Sequence, residues 1–162
     1  MPINLSELCS VKYNTMKEKV LTLVLLALWL PVSIDKLLQF EGFKAGILRQ
    51  PFSNELGTML VYFLPPMEIL TVILLLLPAV RDYGFLLSSV LMGGFTVYIG
   101  IALVGAWEKL PCGCGSVISG LSWKQHFFFN LFFLLTSIYG LNIQNLQRGG
   151  AAGCEAAEGG PA

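Results

Sequence analysis

The sequence predicts an all-α, polytopic membrane protein: a bundle of four transmembrane helices with an interfacial amphipathic segment between the first two. The 162-residue chain is 55% hydrophobic and only 12% charged, against about 25% charged in a soluble domain. Four apolar, charge-poor stretches recur along it, each near the roughly 20 residues needed to cross a hydrocarbon core of about 30 Å. The formal net charge is zero and the ten basic residues are spread thinly. Without a basic patch, nucleic acid is excluded as a partner. The partner that composition demands is the lipid bilayer.

Residues 1–18 form a polar amino-terminal segment, too polar to be the core of a signal peptide and expected to be retained ahead of the first span. That span runs from Val20 to Ile34, lengthened by Lys19 and Lys36, whose stems can snorkel to the interfaces. Asp35 and Lys36 then read as anchors among the headgroups. From Glu41 to Glu55 the chain is mixed, with Phe40, Phe43, Ile47 and Leu48 at roughly helical spacing and Lys44 and Arg49 between them. This pattern predicts an amphipathic segment lying in the interface.

The second span, Leu56 to Val80, contains Pro65-Pro66-Met67-Glu68. Two prolines remove backbone hydrogen bonds and are expected to kink or break the helix. If the helix starts near Leu56, Glu68 sits roughly 18 Å down its axis, near the midplane; if Pro66 is the first helical residue, Glu68 is a boundary carboxylate. In the interior an ionisable group needs a partner or a neutral state, and packing or proton handling is its expected role. Arg81-Asp82-Tyr83-Gly84 reads as the turn that returns the chain.

The third span, Tyr83 to Trp107, carries Ser89, Gly93, Thr96 and Gly100 at steps of four, three and four. These small residues share one face and predict close helix contact. The fourth span covers about Gln125 to Leu146, and Trp29, Trp107 and Trp123 are available near boundaries. Ser122 with Gln125 three residues later matches a capping box. His126, Asn130 and Ser137 fall on one face of the helix that follows; a polar stripe in an apolar helix points inward, with Asn130 as interhelical glue. After Leu146 the composition turns to Gly, Ala and Glu, which predicts a flexible tail. The chain thus divides into residues 1–18, a four-helix domain over 19–146, and a tail over 147–162.

Charge places the chain in the membrane less decisively. Lys12, Lys17, Lys19, Arg81 and Arg148 fall on the side of the termini, and Lys36, Lys44, Arg49, Lys109 and Lys124 on the other. The count is tied. Three lysines precede the first span, which usually weighs most, so both termini are expected inside. The loop between the third and fourth spans then faces the outer, oxidising compartment, where disulfides persist.

That loop carries Cys112-Gly113-Cys114-Gly115. A Cys-x-Cys disulfide closes a very small ring, near the upper limit of about 7 Å between Cα atoms for an extended chain. Gly113 and Gly115 let the backbone yield. Strain makes such a bridge labile and suited to exchange. The amino terminus of the fourth helix and His126 would both favour the thiolate, the attacking form. Two other readings stand beside this one: Cys112, Cys114 and His126 supply three soft ligands at most, so no metal is expected, and the bland alternative is that the cysteines are small apolar groups in a glycine turn.

Four spans, the segment Ser33-Ile34-Asp35-Lys36-Leu37-Leu38-Gln39-Phe40-Glu41-Gly42-Phe43, Pro66-Met67-Glu68-Ile69-Leu70, Cys112-Gly113-Cys114-Gly115, Trp123 and Asn130 together resemble the methylamine-utilisation MauE family, within the broader DoxX-like group. The resemblance covers about Lys17 to Leu146. It implies a bacterial inner-membrane protein that supports thiol redox or disulfide formation in exported proteins, with Cys112 and Cys114 in the family's cysteine motif. The plan is also similar to four-helix thiol oxidoreductases such as DsbB and vitamin K epoxide reductase, which pass electrons to a quinone, so a quinone is the cofactor suggested by analogy. Those proteins use a second cysteine pair in another outer loop. The segment Glu41 to Glu55 has none, so a thioredoxin-like or exported partner would supply it. The alternative is a non-enzymatic scaffold or assembly factor in which the glycine-cysteine loop only shapes a docking surface.

Overall fold

The computed structural model describes residues 5–51, 53–105 and 122–158, with side chains over 16–51, 53–105 and 122–146. Every regular element among these residues is helical: α1 (Leu5–Leu38), α2 (Phe40–Leu48), α3 (Asn54–Leu76), a 3-10 turn (Pro78–Val80), α4 (Arg81–Leu103) and α5 (Trp123–Glu158). Four stretches are long and apolar enough to cross a membrane: Met16–Leu38, Asn54–Leu76, Pro78–Leu103 and Trp123–Leu146. Such helices satisfy their own backbone groups, the condition for lying in hydrocarbon.

Helix α1 carries the polar amino-terminal residues from Leu5 onward as a direct extension of the first span. It stops at Leu38, and Gln39 hands over to α2, the short amphipathic helix predicted between the spans. Phe43 is the buried residue of α2. The Phe40 and Tyr62 rings approach to 6.1 Å, and Leu48 reaches Gly57, so α2 folds back along the start of α3.

Ser53 caps α3, its hydroxyl accepting from the Leu56 N–H at 3.3 Å. The helix then runs unbroken through Pro65 and Pro66 to Leu76. The predicted break does not occur, and the alternative start at Pro66 is excluded. A proline costs the bond to the carbonyl four residues back, but the remaining ladder and the packed face can hold the helix in register.

The turn after α3 differs from the expected one. Leu77 adopts the extended backbone favoured in the residue before a proline, and Pro78–Val80 form the 3-10 turn. Arg81 to Gly84, predicted as the turn, instead make the first turn of α4. Gly84 is needed there for proximity: a Cβ on it would lie 2.8 Å from the Leu75 N and 3.0 Å from the Leu74 carbonyl carbon. Only hydrogen fits.

α4 and α5 pack antiparallel. Gly100 faces Phe127, Gly93 faces Leu134, and Gly140 lies under the ring of Phe85. The predicted small-residue stripe on α4 therefore faces α5 at Gly93 and Gly100. At its far end α5 continues as helix to Glu158, where the composition predicts an irregular tail; the Ala and Glu residues there are strong helix formers.

The core gathers Leu25, Leu26, Leu28, Trp29, Val72, Leu75, Phe85 and Met92. Trp29, predicted near a boundary, is fully buried at the middle of the bundle, because its indole N–H finds an internal acceptor.

Candidate functional site

The start of α5 is held by the predicted capping box. The Ser122 N–H donates to Gln125 Oε1 at 2.8 Å, and the Gln125 N–H donates to Ser122 Oγ at 3.4 Å. Two otherwise orphaned donors are thereby satisfied in reciprocal fashion. This fixes the first turn, and His126 sits in it, with the Trp123 ring centroid 6.3 Å from its own. His126 is 5% exposed, and neither Nδ1 nor Nε2 has a hydrogen-bond partner among the described residues. A buried imidazole without a partner among the described residues can take one from a further group or exchange a proton.

Further along the same face, Asn130 and Ser137 are also buried. The stripe His126, Asn130, Ser137 points inward, as its spacing predicts. Cys112, Gly113, Cys114 and Gly115 lie outside the described residues, within the 106–121 connection that joins α4 to the capped turn of α5.

Glu68 is fully buried and pairs with Lys36. The predicted interior position of Glu68 is thus seen, but its partner is unexpected. Lys36, read from the sequence as a headgroup anchor, is buried, with its ammonium 5.0 Å from the Phe43 ring centroid and 5.7 Å from that of Phe95. Coulombic attraction and the two aromatic faces compensate for lost hydration that a snorkelling lysine would keep. Glu68 Oε2 and the nearby Ser33 Oγ on α1 have no partner among the described residues. Asp35 accepts from Gln39 Nε2 at 2.7 Å.

Two further polar links were not predicted. The Trp29 Nε1–H donates to Ser88 Oγ at 2.9 Å, Ser88 and Ser137 hydroxyls lie 2.8 Å apart, and Ser137 donates to the Phe133 carbonyl at 2.8 Å. Since Ser137 spends its single hydrogen on Phe133, Ser88 donates to Ser137, giving one directed chain across α1, α4 and α5. Near the Cys-bearing end of the bundle, Tyr98 donates to Gln50 Oε1 at 2.5 Å, tying the end of α2 to α4. No periodicity in the sequence connects residues 48 or more positions apart, so these links had no signal to find.

Four apolar helices closed around buried polar pairs define a multi-pass integral membrane protein. Residues 15–143, more than three quarters of the chain, match the family described as methylamine utilisation protein MauE, and the chain belongs to that family. Its family thereby links it to methylamine utilisation. No curated protein and no solved structure matches it.

Proposed function

We propose that this protein carries out thiol-disulfide exchange at the bilayer surface through Cys112 and Cys114, in support of disulfide formation in exported proteins, with His126 activating a thiolate. In the productive direction a substrate thiolate attacks the Cys112–Cys114 disulfide, and a mixed disulfide forms as one cysteine leaves as thiolate. The second substrate thiolate then displaces the other cysteine. The substrate loses two electrons and ends as a disulfide; Cys112 and Cys114 gain them and end as thiols, taking up two protons. A disulfide of a thioredoxin-like partner restores the bridge by the reverse exchange.

The observation that carries this reading is His126: buried, with no hydrogen-bond partner for either ring nitrogen among the described residues, in a capped first turn directly after the cysteine-bearing connection. The helix amino terminus adds its positive end to stabilise a thiolate nearby. Glu68 and Asn130 support the bundle interior, and Gly113 and Gly115 give the small ring its backbone freedom. The protein sits in the bacterial inner membrane with both termini in the cytoplasm.

Alkylation of cells with and without reductant tests the chemistry. A fraction of Cys112 and Cys114 protected until reductant is added, and loss of function in Cys112→Ser, are expected. Cysteines always reduced, together with a fully active Cys112→Ser, would instead identify a scaffold. A reporter fused after Leu146 tests the orientation and is expected to be cytoplasmic.

A further inference from the structure

At the end of the bundle that carries the termini, a cleft of about 290 Å³ opens between α1 and the α3–α4 turn. Lys19 and Arg81 stand at it, and Leu23, Leu26 and Leu76 form its apolar wall. Lys19 borders the apolar run that begins at Val20, and Arg81 stands one helical turn after the span start at Pro78. Both cations therefore stand near the end of an apolar run, where lysine and arginine heads meet lipid headgroups.

The charges at this cleft are not equivalent. Arg81 donates from Nη1 to Glu18 Oε1 at 2.5 Å and from Nε to the Leu75 carbonyl at 3.0 Å. Glu18 therefore neutralises it, but a guanidinium has five N–H groups in a planar fork, and these two bonds leave its Nη2 hydrogens unassigned. Glu18 itself is buried behind the arginine. Lys19 is exposed and forms no ion pair among the described residues. The cleft thus joins one ammonium without an ion pair among the described residues, one fixed and oriented guanidinium edge, and a leucine-lined wall.

We infer that this cleft is a binding site for an anionic phospholipid, the phosphate held between Lys19 and Arg81 and an acyl chain laid against Leu23, Leu26 and Leu76. A phosphate matches an arginine edge and a lysine point charge together, and a lipid tail matches the wall that a free anion would leave unsatisfied. A zwitterionic lipid fits the wall but brings a second cation to Lys19. The site is independent of the cysteine chemistry.

Native mass spectrometry of the full chain in non-ionic detergent tests this with three probes: dioleoyl phosphatidylglycerol, dioleoyl phosphatidylcholine and inorganic phosphate. Phosphatidylglycerol is expected to occupy the protein about fivefold more than phosphatidylcholine, the factor that one lysine contributes near an anionic surface. Lys19→Gln should bring the two lipids to parity. Leu23→Trp, at an exposed position whose indole would fill the slot, should lower binding of both. Equal occupancy of the two lipids in the unaltered protein would overturn the assignment, as would a preference that survives Lys19→Gln or full lipid binding by Leu23→Trp. Displacement of phosphatidylglycerol by millimolar inorganic phosphate would assign the site to the free anion instead.

Discussion

Lys36 and Glu68 form an ion pair that joins α1 to α3 inside the bundle, with Glu68 fully buried and the ammonium flanked by Phe43 and Phe95. Four elements meet at one lysine: α1 supplies it, α3 its counter-charge, and α2 and α4 an aromatic face each. The pair therefore sets how α2 folds over the bundle as well as how α1 meets α3.

Removing one partner leaves an uncompensated charge in the low-dielectric interior. Glu68→Gln and Lys36→Met should each destabilise the fold by about 3–5 kcal/mol. The double variant Lys36→Met with Glu68→Leu should recover most of that loss, since apolar side chains of similar volume need no desolvation. Denaturant unfolding in micelles would read both effects, and additive single losses in the double variant would show that the two residues do not act as a pair.

The directed chain from Trp29 through Ser88 and Ser137 to Phe133 predicts unequal costs at its two hydroxyls. Ser88→Ala strands the buried Trp29 N–H and should cost about 1–3 kcal/mol. Ser137→Ala leaves Ser88 free to turn its hydrogen to a carbonyl one helical turn back, as Ser89 and Thr96 do, and should cost less than about 1 kcal/mol. Thermal unfolding of the two variants side by side gives the order; a larger loss at Ser137 would reverse the assigned direction of the chain.

Gly84→Ala would press a methyl group into the backbone at Leu74 and Leu75. Backbone cannot rotate away as a side chain can, so the α3–α4 turn must open, at a cost of about 1–3 kcal/mol. Gly94, with nothing near its missing Cβ, is the control: Gly94→Ala should be neutral or stabilising by helix propensity.

His126 gives the proposed chemistry a readout separate from stability. His126→Leu removes two buried nitrogens that have no partner among the described residues, so the fold should be as stable as before or more so. Alkylation of Cys112 and Cys114 near neutral pH should slow by roughly tenfold if His126 activates the thiolate as proposed. Unchanged alkylation in a stable His126→Leu protein would remove the histidine from the thiol chemistry.

The four spans, the interfacial α2, the capping box and the inward polar stripe of α5 were legible because each is written locally: in run length, in a three-residue spacing, or in one helical period. What was not legible depends on partners far along the chain. Lys36 at the end of an apolar run has the same local context as a snorkelling anchor, and only Glu68, 32 residues on, distinguishes the two. Trp29 looks like an interfacial aromatic until Ser88 is placed opposite it. Pro65-Pro66 suggests a break, yet the surrounding helix keeps enough of its ladder to run through. Arg81 to Gly84 read as the return after α3, whereas the extended Leu77 before Pro78 makes it. In the candidate site, His126 and its cap were readable, but its burial without a partner among the described residues was not, since burial depends on residues far along the chain.

The buried pair also orders events during synthesis. Lys36 leaves the ribosome 32 residues before Glu68, so α1 must enter the bilayer while its cation has no counter-charge. Until α3 arrives, the ammonium is best placed among headgroups, its stem stretched outward. Drawing it inward can happen only once Glu68 is alongside and Phe43 and Phe95 can close over it. The docked position of Lys36 therefore depends on α3, and an α1 fragment alone has no counter-charge to draw it inward.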